Sequence, residues 1–388
     1  MPVIQRSTCL QAALLVVLGP FVAGAQTPPP TTPPVAADAK PADATPPAPP
    51  AKLNGWVFTA LADGYFTENS NHPSSNSNQL QNFNLNWGQP ELSLAKVTID
   101  KSDKVIGLHL DAGFGETMRL IHAFDPAAQE HQAFRYIEQM YVIVKPNHAH
   151  GAEFDFGEFV TSAGAEVIES NANWNYSRSL LFAWAIPYYH FGLRTSVPVN
   201  KDVSVGFQLV NAWNTLWGNN NLDNIGLTLA VTKKKFVYNL NYYEGPNHSG
   251  TTRGKRNLFD STLTVNPNSK VSFYINGDYG RDNRIGGGDD PWYGVAGAVR
   301  GQITSKIAVA GRGEIFNDST GFETGTKQIL KEATLTGEYK YNDHFLGRIE
   351  YRHDASDHAF FDRGGQTGVA HNMNTFTIGI VAVLGPMK

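Results

Sequence analysis

Along most of the chain, apolar and polar residues alternate with a period of two. In "VSVGFQL", Val203, Val205, Phe207 and Leu209 alternate with Ser204, Gly206 and Gln208. "FVYNLNYYE" puts Phe236, Tyr238, Leu240 and Tyr242 on one face, and Asn239, Asn241 and Tyr243 on the other. Ile225, Leu227, Leu229 and Val231 keep the rule, as do Phe345, Gly347, Ile349 and Tyr351 across from Arg348, Glu350 and Arg352. Successive side chains of a strand point to opposite sides, so each segment reads as a strand with one greasy and one polar face. Counting such segments predicts about sixteen strands. They cover 53–66, 89–99, 105–115, 136–144, 152–159, 188–197, 203–213 and 224–232, then 236–244, 257–265, 271–279, 292–303, 307–316, 327–341, 345–351 and 375–384.

The connections sort by parity. Every second one is short and rich in Asn, Asp and Lys, as at 100–104, 198–202, 233–235 and 342–344, which suits tight hairpins. The intervening ones are expected to run from roughly ten to nearly thirty residues, the asymmetry of outer-membrane barrels. A soluble β-sandwich would also alternate, but has no reason to sort its loops this way. The expected fold is therefore all-β: a transmembrane antiparallel up-and-down β-barrel of about sixteen strands, apolar face to lipid and polar face to the lumen. Trp213, Tyr279, Trp292 and Tyr351, near predicted strand ends, would suit aromatic girdles. A barrel this wide cannot be filled by its own wall side chains, which leaves an aqueous channel.

One segment breaks the rhythm. "GEFVTSAGAEVIESNANWNYSRSLLFAWAIPYYHFGLR" (157–194) has neither strand nor helix periodicity in its middle, and forms the third long loop. An inward-folded loop would narrow the tube, with its apolar side (Trp174, Tyr176, Phe182, Trp184) against the wall. The expected constriction is Glu166, Glu169, Arg178 and Arg194. Strand parity places Asp111, Asp260, Asp278, Glu314, Glu338 and Glu350 on the lumen wall, together with Arg300, Arg312, Lys340, Arg348 and Arg352. The bases concentrate on strands twelve to fifteen. Facing the loop acids they would create a transverse field; paired with neighbours, for example Arg312 with Glu338, they would be simple wall ion pairs.

Composition narrows the classes. Residues 1–25 read as a signal peptide: Arg6, a short apolar run over 12–18, and Ala23-Gly24-Ala25 as a cleavage site. Residues 26–52 are a Pro/Ala-rich tract that reads as a disordered linker, ahead of a barrel over 53–388. The one cysteine, Cys9, lies in the leader, so no disulfide or thiolate metal site is expected. With 31 Lys+Arg against 35 Asp+Glu, nothing points to nucleic acid.

The loop segment also carries a resemblance. "GEFVTSAGAEVIE" with "NWNYSRSLLFAWAIPYYHFGLR" resembles the signature of the OmpL-like β-barrel porins of the Gram-negative outer membrane. "LDAGFGET", "FRYIEQMYV", "WYGVAGAVR" and "RIEYRHD" extend the similarity from Leu53 to Leu384. It implies a passive pore for small hydrophilic solutes, seated in outer-membrane lipid, with no cofactor; a homotrimer stays open. Two positions depart from the family pattern. Glu158 stands where members usually have Lys, changing the charge at the start of the loop. The chain ends Leu384-Gly385-Pro386-Met387-Lys388, without the terminal aromatic of many such barrels.

The rival from another class is a barrel-based adhesin or structural protein without an open pore. Catalysis would need a nucleophile, base and orienter at one rim, and no such spacing occurs. His353, Asp354, Asp357, His358 and Asp362 lie close together, as do His148 and His150, and "GNNNLDN" (218–224) is acid-amide rich. Solvated loop residues account for these groups better than a metal site does.

Overall fold

The computed structural model describes residues 51–53, 55–217, 224–248 and 250–385. The leader with Cys9, the Pro-rich tract up to residue 50, the 218–223 part of the amide-rich loop and residues 386–388 lie outside the described residues. Sixteen strands make the wall: β1 (Trp56–Asn69), β2 (Pro90–Ser102), β3 (Ile106–Phe114), β4 (Ile137–Val144), β5 (Glu153–Val160), β6 (Tyr189–Pro198), β7 (Val203–Val210) and β8 (Asn224–Lys233). The second half is β9 (Phe236–Pro246), β10 (Lys255–Val265), β11 (Val271–Asn283), β12 (Asp289–Gln302), β13 (Ile307–Asp318), β14 (Gln328–Asn342), β15 (Phe345–Ser356) and β16 (Asn372–Leu384).

Each strand pairs antiparallel with the next, and β16 closes on β1 over Thr375↔Asn69 to Leu384↔Ala60. Closure leaves no unpaired edge, the condition for strands to cross hydrocarbon. All sixteen expected strands are present. Ala51–Leu53 is a short strand of its own, paired to the start of β1, so the barrel begins at Trp56 rather than Leu53.

Burial follows the predicted parity. On β13, Ile307, Val309 and Ile315 are exposed, while Ala308, Ala310, Arg312 and Glu314 are buried. Val295, Leu335 and Ile349 are each more than half exposed on the outer face, where lipid would cover them. Several strands run further into the long loops than expected. β11 continues to Asn283 and β12 starts at Asp289, so the connection between them is only 284–288, shorter than the ten residues expected.

Two expected girdle residues are not on the outside. Tyr279 and Tyr351 are about half exposed, but Trp292 and Trp213 are buried. Trp292 is in phase with inward Ala296 and Ala298, and Trp213 lies beyond the end of β7. They meet edge-to-face at 6.3 Å between ring centres, and Arg256 lies 5.0 Å from the Trp213 ring. Around them Leu80, Leu180, Leu181, Trp184, Ile186 and Phe361 form an apolar core inside the barrel's loop end.

Candidate functional site

The chain leaves β5 at Val160 and regains the wall at Tyr189. Between them it forms only a 3-10 turn (Ser170–Ala172) and a π-helical turn (Leu181–Ala185). Such a segment cannot satisfy its own backbone groups, and away from water each orphan N–H or C=O is costly. The wall supplies the partners. Glu350 accepts from the N–H of Tyr176 at 2.5 Å and of Ser177 at 2.9 Å. Glu314 accepts from Leu180 and Leu181 at 2.7 and 3.1 Å. Guanidiniums serve the carbonyls: Arg352 donates to Arg178 O at 2.5 Å, Arg312 to Ser177 O at 2.7 Å, and Arg348 to Asn173 O at 2.6 Å as well as to Ser170 O.

Side chains complete the attachment. Glu166 receives Arg312 Nη1 at 2.6 Å and the N–H of Ser179 at 2.6 Å. Tyr176 Oη and Ser170 Oγ donate to the two oxygens of Asp63 on β1, at 2.8 and 2.7 Å. Burial, reinforced by the Asp63 charge, raises the Tyr176 hydroxyl well above its ordinary pKa, so it keeps its proton and stays a donor. The Tyr176 ring lies against Gly379 of β16, where a Cβ would come within 2.3 Å of it. Gly164, at φ +92°, lets the chain turn inward beside Ile186. At the start of the loop, Asn241 Nδ2 donates to Ser162 O at 2.9 Å, and the Ser162 and Tyr243 hydroxyls are 2.7 Å apart. At its end, Trp292 Nε1 donates to Ala185 O at 2.9 Å.

The expected residues thus sort into distinct places. Glu166 joins the wall network directly, and Glu169 ion-pairs with Lys96 of β2. Arg178 does not reach the wall with its side chain; it staples its own loop, donating to Val167 O at 2.9 Å and to Ile168 O and Tyr176 O. Arg194 stands apart from them on the β5–β6 arc, paired to Asp155 at 2.7 Å, with its guanidinium 4.5 Å from the Phe159 ring. Arg312 pairs with Glu332 at 3.1 Å, not with Glu338; Glu338 takes Arg348 at 2.6 Å and Arg300 at 2.8 Å. Asp260 and Asp278 face each other across β10 and β11, bound by Asn276. Lys340 is at the turn end, paired with Asp343. Asp111 accepts from Lys96 at 3.2 Å.

Sequence reading missed Asp63, Lys96, Glu138 and Glu332. Asp63 lies between inward Leu61 and Tyr65, which hide it in an apolar phase. Irregularities in the ladder at Asp63/Gly64 and Asp111/Ala112 break the phase of β2 and β4, so Lys96 and the extra residue Glu138 turn inward against simple alternation. Glu332 was in phase, two residues from Thr334.

The histidine–aspartate group does not converge: His353 bonds Asn374, Asp354 holds Arg352, and Asp362 caps the N–H of Gly368. Opposite this charged arc, the turn-side inward residues of β7–β10, among them Gly206, Thr228, Ala230, Asn239 and Thr264, are small and partly exposed, while further along the same faces Gln208, Asn241, Tyr243 and Asp260 are buried.

A closed antiparallel barrel, greasy outside and polar within, with a long loop bonded to its inner wall, defines a membrane-spanning β-barrel of the channel-forming class. Residues 54–384 match the family described as "Putative beta-barrel porin-2, OmpL-like". The chain belongs to this family, and is an outer-membrane channel. No curated protein matches it in sequence. Its fold is similar to solved barrels at low identity. The outer-membrane channel DcaP of Acinetobacter baumannii has a TM-score of 0.57 at 7% identity, covering 87% of this chain and 100% of that one. The anion-selective porin from Comamonas acidovorans has a TM-score of 0.55 at 9% identity, covering 84% and 99%. OmpT of Vibrio cholerae has a TM-score of 0.53 at 13% identity, covering 87% and 100%.

Proposed function

We propose that small hydrophilic solutes diffuse passively through this barrel, and that the loop over 161–188 sets the size limit. The carrying observation is asymmetry inside the tube. β1, β13 and β15 hold the loop by carboxylates and guanidiniums and β2 holds it by Lys96, while the turn-side half of β7–β10 keeps a small, partly exposed polar face. Solute then passes between Ala165, Val167, Glu169, Ala172 and Trp174 of the loop and that face. Arg312, Arg348 and Arg352 position the loop rather than meeting solute, and Arg178 stiffens it from within. Residues 1–25 act as a cleaved export signal to a Gram-negative outer membrane. Assembly as a homotrimer, the form described for one Vibrio cholerae OmpT structure, is tested by cross-linking the same preparation.

Liposome swelling with sugars of increasing size tests the reading. Small sugars should enter at a rate that falls steeply with size. Vesicles that never swell would favour the adhesin alternative.

A further inference from the structure

We propose that the channel is gated: packed loops shut the outer half of the lumen, and the first long loop (70–89) is the stopper that must lift for solute to pass. This rests on the channel reading above and adds its regulation.

Burial differs between the two halves of the tube. At the loop end, inward residues are buried on strands spaced round the whole ring. Thr67 of β1, Phe159 of β5, Tyr243 of β9, Asp282 of β11, Leu330 of β14 and Met373 of β16 are each 1% exposed or less. Water in an open bore would reach some of them. One apolar cluster joins Tyr243 and Leu258 to Met373 by way of Leu181 and Trp184 of the third loop and Leu80 of the first. Since β9 and β16 stand nearly opposite in the ring, that cluster crosses the bore. The turn-side half stays open, with Gly206, Thr228, Asn239 and Arg300 partly exposed. The lumen is a vestibule entered from the turn side and blocked at the loop side.

The two blocking loops are held differently. Buried carboxylates and guanidiniums fix the third to the wall, Glu350 and Arg312 among them. Residues 70–89 contain no Asp, Glu, Lys or Arg, so amides and rings hold them. Asn82 Nδ2 donates to Ala183 O at 3.0 Å and to Tyr188 Oη at 2.9 Å, and Leu80 O accepts from Trp184 Nε1 at 3.2 Å. The Phe83 ring meets those of Phe182 and Tyr188 at 5.4 and 5.5 Å between centres. Gln81 ties the loop to the wall, donating to Asp354 at 3.0 Å and to Thr375 at 3.1 Å. Water replaces neutral hydrogen bonds at little net cost, but charge-assisted ones are about twice as strong. The stopper also stores strain. Leu80 is held at φ +66°, a left-handed backbone that a bulky residue rarely adopts, with Asn76 at +54° and His72 at +45°. The first loop therefore yields before the third.

Two measurements decide the matter. In planar bilayers the native protein should open briefly from a shut baseline. Asn82→Ala/Phe83→Ala should raise the open fraction several-fold at an unchanged conductance step, because the third loop is untouched. A native protein that stays open, or a variant with the native open fraction, overturns the gate while leaving the channel intact. A larger step does the same, since the first loop would then line the constriction. The second measurement needs no conduction: Ala183→Cys, in a Cys9→Ser background, is labelled with a membrane-impermeant maleimide. The thiol should react slowly in the folded, detergent-solubilised chain, and several-fold faster when Asn82→Ala is added. Equal rates, or reaction only in denaturant, overturn the proposal. A protein silent in every form fails as a channel, and the labelling alone then judges the stopper.

Discussion

The wall and the loop inside it solve one problem in opposite ways. In the wall, every strand finds its hydrogen bonds in the strand beside it, and side chains are left free to face lipid or lumen. The loop over 161–188 has almost no ladder, so its backbone is served by side chains of the wall: carboxylates for N–H groups, guanidiniums for carbonyls. The difference teaches that charge facing a lumen need not be charge offered to solute. Arg312, Glu314, Arg348, Glu350 and Arg352 stand in for secondary structure that the loop lacks.

Breaking that substitution at its centre should have the largest effect. Arg312→Met leaves Glu166 and Glu332 buried without their shared cation and frees Ser177 O. The cost is expected at about 3–5 kcal/mol, as for one partner removed from a buried pair. The loop should loosen, read as swelling by sugars that the native channel excludes. Unchanged size exclusion would mean that Arg312 does not hold the constriction.

A milder cut sharpens the comparison. Tyr176→Phe removes one hydroxyl donor to Asp63 and nothing else from the ring. A hydrogen bond to a charged acceptor contributes about 2 kcal/mol, so urea unfolding in detergent should shift by roughly that amount, with conductance noisier but near native.

The second long loop tests the contrast from the other side, because apolar burial holds it. Met118, Leu120 and Ile121 are core residues, and His122 is buried beside Tyr189, bonding Ile137 O at 2.8 Å. Burial lowers the His122 pKa to about 4 from an ordinary value of 6.5. The unfolded chain then takes up the proton first, so stability falls as pH drops through about 6.5 toward 4 and is unaffected above. The loss should reach about 1.5 kcal/mol by pH 5.5. Comparing urea midpoints of native and His122→Asn protein across that range checks it; the variant should show the shallower slope, and equal slopes would contradict the assignment.

The strands were legible because period two leaves a signal in every segment, and closure follows once lipid forbids an edge. Tyr243 and Arg312 were correctly phased for the same reason. Legibility failed where the backbone breaks the period. The ladder irregularities hide Lys96 and Glu138, and Trp213 lies past its strand in a loop whose packing no periodicity encodes. Trp292 was readable by phase, yet its proximity to a strand end suggested a girdle. Glu166 and Arg178 were visible as charges in an apolar segment, but their partners come from strands more than a hundred residues away or from the loop's own carbonyls.

The most direct test is single-channel conductance in a planar bilayer, comparing the native chain with a variant lacking residues 164–180. Discrete openings are expected from both, with a clearly larger step from the shortened protein. Equal steps, or silence from both, would contradict a wet barrel narrowed by its own third loop.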